Sequence, residues 1–137
     1  RCLDYKNVSL ISFGIRNISK DEMPFLEKNK SRINIFWAKD KTSWNLQKFK
    51  KLIKNKTVYL TFDVDGFDLS IMPATGTPEP GGYMWNETMH LLDTIIKYNE
   101  IVAFDVVEFA PIKGIEAYDF VVAKLCYEIL RKVLNSC

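Results

Sequence analysis

Asp63 and Asp65 lie two residues apart where the apolar run Val58 to Asp63 (VYLTFD) ends, and Asp68 follows after a glycine. Along an extended strand, residues two apart point to the same side, so both carboxylates converge. Crowded carboxylates repel one another and resist desolvation. A divalent cation relieves both costs, and oxygen ligands favour magnesium, calcium or manganese. The other reading is that these acids cap the next loop and face water. Glu108 ends a second apolar run, Ile101 to Val107 (IVAFDVV). Read alone, it is an exposed strand-end acid. Asp105 lies inside that run, either orienting a ligand or paired elsewhere. Thr77, read alone, is a turn hydroxyl. His90, the only histidine, shares a helical face with Asn86, Asp93 and Lys97, which is the setting of a solvated side chain.

The elements that must position these groups are legible from hydrophobic periodicity. Val8 to Ile15, Ile33 to Ala38, Val58 to Asp63 and Ile101 to Val107 read as strands. The Pro24-containing stretch between the first two reads as a short helix or loop. Leu46, Phe49 and Ile53 predict a helix over 43–54, and Met84, Thr88, Leu91, Ile95 and Tyr98 mark the inner face of another. A last helix begins near Ala117, with Val122, Leu125, Ile129 and Val133 inside and a Glu128–Lys132 pair outside. Alternating strands and helices with near-continuous apolar strands predict a doubly wound α/β fold, its parallel sheet covered on both faces. Residues 66–82 hold four of the six glycines and three of the five prolines, directly after the third strand. A stiff loop leaving a C-terminal strand end is a candidate site wall.

Composition narrows the classes. Nineteen basic against seventeen acidic side chains give a net charge of +2, too balanced to point to nucleic acid. Lys48, Lys50, Lys51, Lys54 and Lys56 lack interleaved aromatics and read as a solvated helix face, while Trp37, Trp44 and Trp85 read as packing residues. No apolar run approaches a membrane span, so no membrane partner is expected. Three cysteines without CxxC spacing fit a reducing cytoplasm better than a disulfide framework. The chain opens on Arg1 and runs almost at once into a strand, which suggests that something precedes it.

Residues 61–82, TFDVDGFDLSIMPATGTPEPGG, resemble the signature segment of the ureohydrolase family, which includes arginases and agmatinases. AFDVVEFAP at 103–111 resembles the family's next strand and loop, and ISFGIRN and the final helix extend the likeness. Glu79-Pro80 looks more like agmatinases. Thr61 stands where the family usually has Ser, and Leu69 where Pro usually follows the third Asp, which leaves the loop start less constrained. The resemblance implies an arginase-like, three-layer, mostly parallel α/β fold, with residues 1–137 as the C-terminal part of one domain. It implies hydrolysis of a small guanidino compound such as agmatine by two manganese ions, in a homo-oligomer. Asp63 would bridge the ions and Asp65 would ligate one; Glu108 would bind the guanidinium and Thr77 would lie near it. The other ligands would come from Gly-Gly-Asp-His and Asp-X-His-X-Asp segments N-terminal to this region.

Three rivals compete. FDVDG also opens the nucleophile motif of haloacid-dehalogenase-like phosphatases, but the expected Thr-Leu does not follow the glycine. A glycosyltransferase DxD pair accounts for neither the Gly/Pro loop nor Glu108. A non-catalytic ureohydrolase-like subunit would retain the fold without the full ligand set.

Overall fold

The computed structural model describes residues 2–44 and 46–136, without the side chains of Leu46 and Lys48. The chain forms two compact units, residues 1–44 and 45–137.

The first unit pairs β1 (Leu10–Ile15) with β2 (Ile33–Trp37) in parallel, in register from Leu10 with Ile33 to Phe13 with Phe36. The register then shifts at Gly14, whose φ of 74° is a left-handed conformation that suits glycine. Both strands are shorter than predicted. The Val8 carbonyl accepts from Arg32 rather than from a strand partner, and Ala38 opens a 3-10 turn running to Ser43. Between the strands, Pro24 occupies the first turn of α1 (Met23–Asn29), where its missing N–H costs nothing. The Phe13 and Phe36 rings stack at 4.8 Å, and Trp44 sets its edge against both. The Trp44 Nε1 donates to the Trp37 carbonyl at 3.1 Å, so this tryptophan has both its apolar body and its polar tip satisfied.

The second unit contains α2 (Leu46–Ile53), β3 (Thr57–Asp63), α3 (Trp85–Lys97), β4 (Glu100–Val107) and α4 (Ala117–Leu134). The predicted α2 start at Ser43 is too early because the preceding 3-10 turn holds that residue. Phe49 and Ile53 are buried, while Lys50, Lys51, Lys54 and Lys56 are exposed. β3 and β4 run parallel, from Thr57 with Glu100 to Asp63 with Val107. Strand alternation puts Leu60 and Phe62 into a core with Val64, Phe67, Met72, Leu92, Leu125 and Ile129. Each fully buried side chain of this kind contributes roughly 1.5–3 kcal/mol relative to exposure. Burial on both sheet faces does not extend to Tyr59 and Val102, each 58% exposed.

Two helix details depart from the predicted pattern. On α3 Thr88 and Ile95 of the predicted face are buried, but so are Leu92 and Ile96, while Leu91 and Tyr98 are only half-buried, so the inner face is shifted toward Leu92 and Ile96. Met84 is 45% exposed because it caps the helix instead of packing under it. On α4 the stripe is as predicted, with Leu125 and Ile129 fully buried and Val122 and Val133 against the core. Glu128 does not pair with Lys132. It binds Lys124 at 2.8 Å and Arg131 at 2.7 Å on the same helix, and Lys132 turns across to Asp93 of α3. Among the described residues no helix is long and apolar enough to cross a membrane.

Candidate metal and guanidinium site

β3 ends at Asp63, and the chain turns at once into a 3-10 turn, Val64–Gly66. Asp63 caps that turn: its Oδ1 accepts from the Asp65 N–H at 3.0 Å. Val64 is fully buried beneath, which anchors the turn while the two aspartates emerge on the other side. The Thr77 hydroxyl donates to Asp65 Oδ2 at 2.8 Å. Asp63, Asp65 and Thr77 therefore lie together, although Thr77 comes twelve positions after Asp65.

Glu108 directly follows Val107, the register partner of Asp63, so it stands at the same sheet edge. Its φ of 63° is left-handed, an uncommon setting for a side chain with a Cβ. The surrounding backbone imposes it. Thr75 forms an antiparallel bridge with Phe109, and the Ala110 N–H donates to the Ala74 carbonyl at 2.9 Å. These ties join the Thr77 loop to the Glu108 turn.

The electrostatics reflect this crowding. Asp63 keeps solvent contact, yet burial of its carboxyl is the largest influence on it, followed among the raising effects by the negative charges of Asp65 and Glu108. Together they push it up to about 6, against the lowering effect of the Asp65 N–H. A carboxylate group raised by like charges is one that a cation would relieve, and its donors are all oxygen, as a manganese site accepts. Asp63 and Asp65 would supply only part of such a site. Among the described residues no group of three or more His, Cys, Asp or Glu side chains could hold a metal ion, so a metal on these two would require further ligands.

Asp105 belongs to a different cluster. Across the β3–β4 register it faces Thr61, and the Tyr59 hydroxyl donates to its Oδ2. The Thr61 hydroxyl, then Tyr59, hold its carboxyl below the ordinary carboxylate range. Thr61 thus has a use for its hydroxyl at the position where the likeness called for Ser. His90 is exposed on α3, as are Asn86, Asp93 and Lys97.

The role of Asp68 is not evident from the sequence. It organises the loop rather than joining the site: its Oδ1 accepts from the Ser70 N–H and hydroxyl at 3.0 and 2.6 Å, and its Oδ2 from the Gly81 and Gly82 N–H groups at 2.7 and 3.2 Å. These bonds, the Ser70 hydroxyl first, pull its carboxyl down to about 2. Leu69 does not loosen the loop start, because its N–H, which a proline would lack, donates to the Glu79 carbonyl at 3.3 Å. Gly82 is compulsory: a Cβ there would lie 2.4 Å from the backbone carbonyl of Phe67. An acid followed by Ser two residues on, and a Gly-Gly pair at the loop's far end, is the signal that could have found this clasp.

Comparison with known proteins follows the same lines. The sequence profile described as the arginase family matches residues 1–131. Over 124 residues the chain is 35% identical to an N(1)-aminopropylagmatine ureohydrolase of Synechocystis, covering 88% of this chain and 39% of that protein. It is 31% identical to an agmatinase of Pyrococcus horikoshii, covering 90% of this chain and 42% of the relative. The crystal structure of an agmatine ureohydrolase of Thermoplasma volcanium superposes with a TM-score of 0.74 at 28% identity, over 90% of this chain and 42% of that one. The chain therefore spans about two fifths of the length of the proteins it matches, and shares their α/β architecture of parallel strands. The match runs through FDVDG, which removes the support for a dehalogenase-like reading of that segment.

Proposed function

Because this chain belongs to the arginase family, we propose that it is the C-terminal part of an agmatinase-type ureohydrolase, which uses manganese to hydrolyse a guanidino compound to urea and an amine. The observation that carries this reading is the meeting of the Asp63–Asp65 pair, the Thr77 hydroxyl and Glu108 at one sheet edge. The relatives named for agmatine and aminopropylagmatine favour substrates of that kind.

Asp63 and Asp65 would hold manganese together with ligands from outside these residues. When bound, a manganese pair supplies Lewis acidity that makes water nucleophilic near neutral pH. Glu108 accepts hydrogen bonds from the guanidinium N–H groups and presents the guanidino carbon toward the aspartate pair, a contribution of orientation. Thr77 keeps Asp65 in one rotamer through its hydroxyl. Water adds to the guanidino carbon, the C–N bond to the alkyl nitrogen breaks, and that nitrogen leaves protonated as the amine.

The test is to express the complete protein carrying this chain, its Asp65→Asn variant, and residues 1–137 alone. Bound manganese is measured by elemental analysis, and urea release is measured from agmatine and from N(1)-aminopropylagmatine. The complete protein should bind manganese and release urea from one of them. Both properties should fall together in Asp65→Asn, and the 137-residue chain should show neither. A complete protein that folds and binds metal but releases no urea from guanidino compounds would overturn the reading in favour of a non-catalytic subunit.

A further inference from the structure

Thr77 lies in the middle of a loop held at both ends. On one side, Ala74 and Thr75 are tied to Ala110 and Phe109. On the other, four residues beyond Thr77, Gly81 and Gly82 donate to Asp68. Asp68 is itself three residues from Asp65, on which the Thr77 hydroxyl rests. The two oxygens of Asp68 thus join the loop's start at Ser70 to its end at Gly81 and Gly82. The backbone reinforces the closure, with the Asp68 N–H donating to Tyr83 and the Tyr83 N–H to Gly66 at 2.9 and 3.0 Å. Both carboxylate oxygens face donors inside the loop, so this third aspartate of the FDVDGFD segment is set apart from the Asp63–Asp65 pair.

We propose that Asp68 is a positioning residue: by closing the 68–82 loop it holds the Thr77 hydroxyl on Asp65 and thereby fixes a metal-binding carboxylate. The claim that Asp65 binds metal rests on the function proposed above; the loop closure stands on the geometry alone. A neutral amide at position 68 has one oxygen acceptor where the carboxylate has two. Asp68→Asn therefore satisfies Ser70 or the glycine pair, and turns N–H hydrogens toward the donors it abandons. The loop end then shifts, and Thr77 shifts with it.

A double-mutant cycle separates this role from general stabilisation. Asp68→Asn, Thr77→Val and the double variant are compared in the complete manganese-loaded protein, and amide hydrogen exchange at Leu69 is followed in the metal-free forms. Asp68→Asn should lower kcat/KM roughly tenfold or more, through kcat, as displaced catalytic groups do. The double variant should be no worse than about twofold below Thr77→Val, because the effect passes through Thr77. Exchange at Leu69, whose amide binds Glu79 and not the Asp68 side chain, should accelerate in Asp68→Asn and stay unchanged in Thr77→Val. Losses that multiply in the double variant, or unaltered Leu69 protection, would overturn the proposal. If Asp68→Asn does not fold, Ser70→Ala removes one donor of the clasp and takes its place in the cycle, with a loss of about threefold expected and the same non-additivity required. If the unaltered protein releases no urea, the proposed function fails while the Leu69 exchange still decides the clasp.

Discussion

The Thr77 hydroxyl donates to Oδ2 of Asp65 at 2.8 Å, so a loop residue fixes the orientation of an acid in the turn after β3, twelve positions earlier. A hydrogen bond to a charged group contributes about 1.5–3 kcal/mol. In the complete protein, Thr77→Val should therefore lower kcat/KM by roughly ten- to a hundredfold, while Thr77→Ser, which retains the hydroxyl, should stay within about threefold. Steady-state urea release checks this, and equal rates for the two variants would show that the hydroxyl is not used.

Glu108 offers a separate handle because its carboxylate and its left-handed backbone can be altered independently. Glu108→Gln keeps size and backbone but loses the charged half of a guanidinium clamp. Turnover should fall about a hundredfold with metal content unchanged. If elemental analysis showed that manganese was lost along with activity, Glu108 would belong to the metal site instead.

Two glycines of the loop should behave oppositely. A Cβ on Gly82 meets the Phe67 backbone at 2.4 Å, whereas one on Gly76 meets nothing within 4 Å. Gly82→Ala should destabilise by roughly 1–3 kcal/mol, as overpacking against immovable backbone does. Gly76→Ala should fall within about 0.5 kcal/mol of the parent. Thermal denaturation of both variants checks the contrast, and equal Tm values would contradict the close approach at Gly82.

Glu128 predicts a pH dependence. Lys124 and Arg131 hold its carboxyl down to about 2, against 4.5 for the ordinary group. A lowered folded-state value means that the folded protein binds this proton less readily than the unfolded chain. The stabilisation is therefore complete above about 4.5 and lost as pH falls from there toward 2. Glu128→Gln should lower Tm at pH 7, with the difference shrinking across that window. A difference that persisted at pH 2 would assign the effect to packing instead of charge.

The strands, helices and their order were legible because apolar periodicity reports burial directly. Leu125 and Ile129 sit where the α4 stripe predicted them, at zero exposure. On α3 the pattern was ambiguous. Leu91, Leu92, Ile95 and Ile96 are all apolar, so two faces one residue apart fit the sequence almost equally; Thr88 and Ile95 are buried as predicted, and packing against α4 and β3 adds Leu92 and Ile96 in place of Leu91. Spacing alone also favoured Glu128 with Lys132, but Asp93 of α3 draws Lys132 away, and no one-dimensional pattern contains that partner. In the site, the type and spacing of Asp63 and Asp65 made them visible as a converging acid pair, and the Asp65 N–H does donate to Asp63. The role of Asp68 was not legible because its partners, Gly81 and Gly82, lie at the far end of the loop. Glu108 was visible as a strand-end acid, while its backbone conformation depends on ties to Ala74 and Thr75 that sequence does not record.

The double suspension of the Thr77 loop has an entropic meaning. Ordering a residue's backbone costs about 1–2 kcal/mol, and a span like that from Asp68 to Gly82 would be costly to freeze each time a ligand arrived. Here the carboxylate of Asp68 at one end and the Ala74–Ala110 tie at the other meet that cost during folding. An arriving ligand then has to restrict only side-chain rotamers, at about 0.5–1.5 kcal/mol each, so more of the contact energy remains as affinity. The glycines and prolines of this segment, stiff by composition, are here part of a rigid mould.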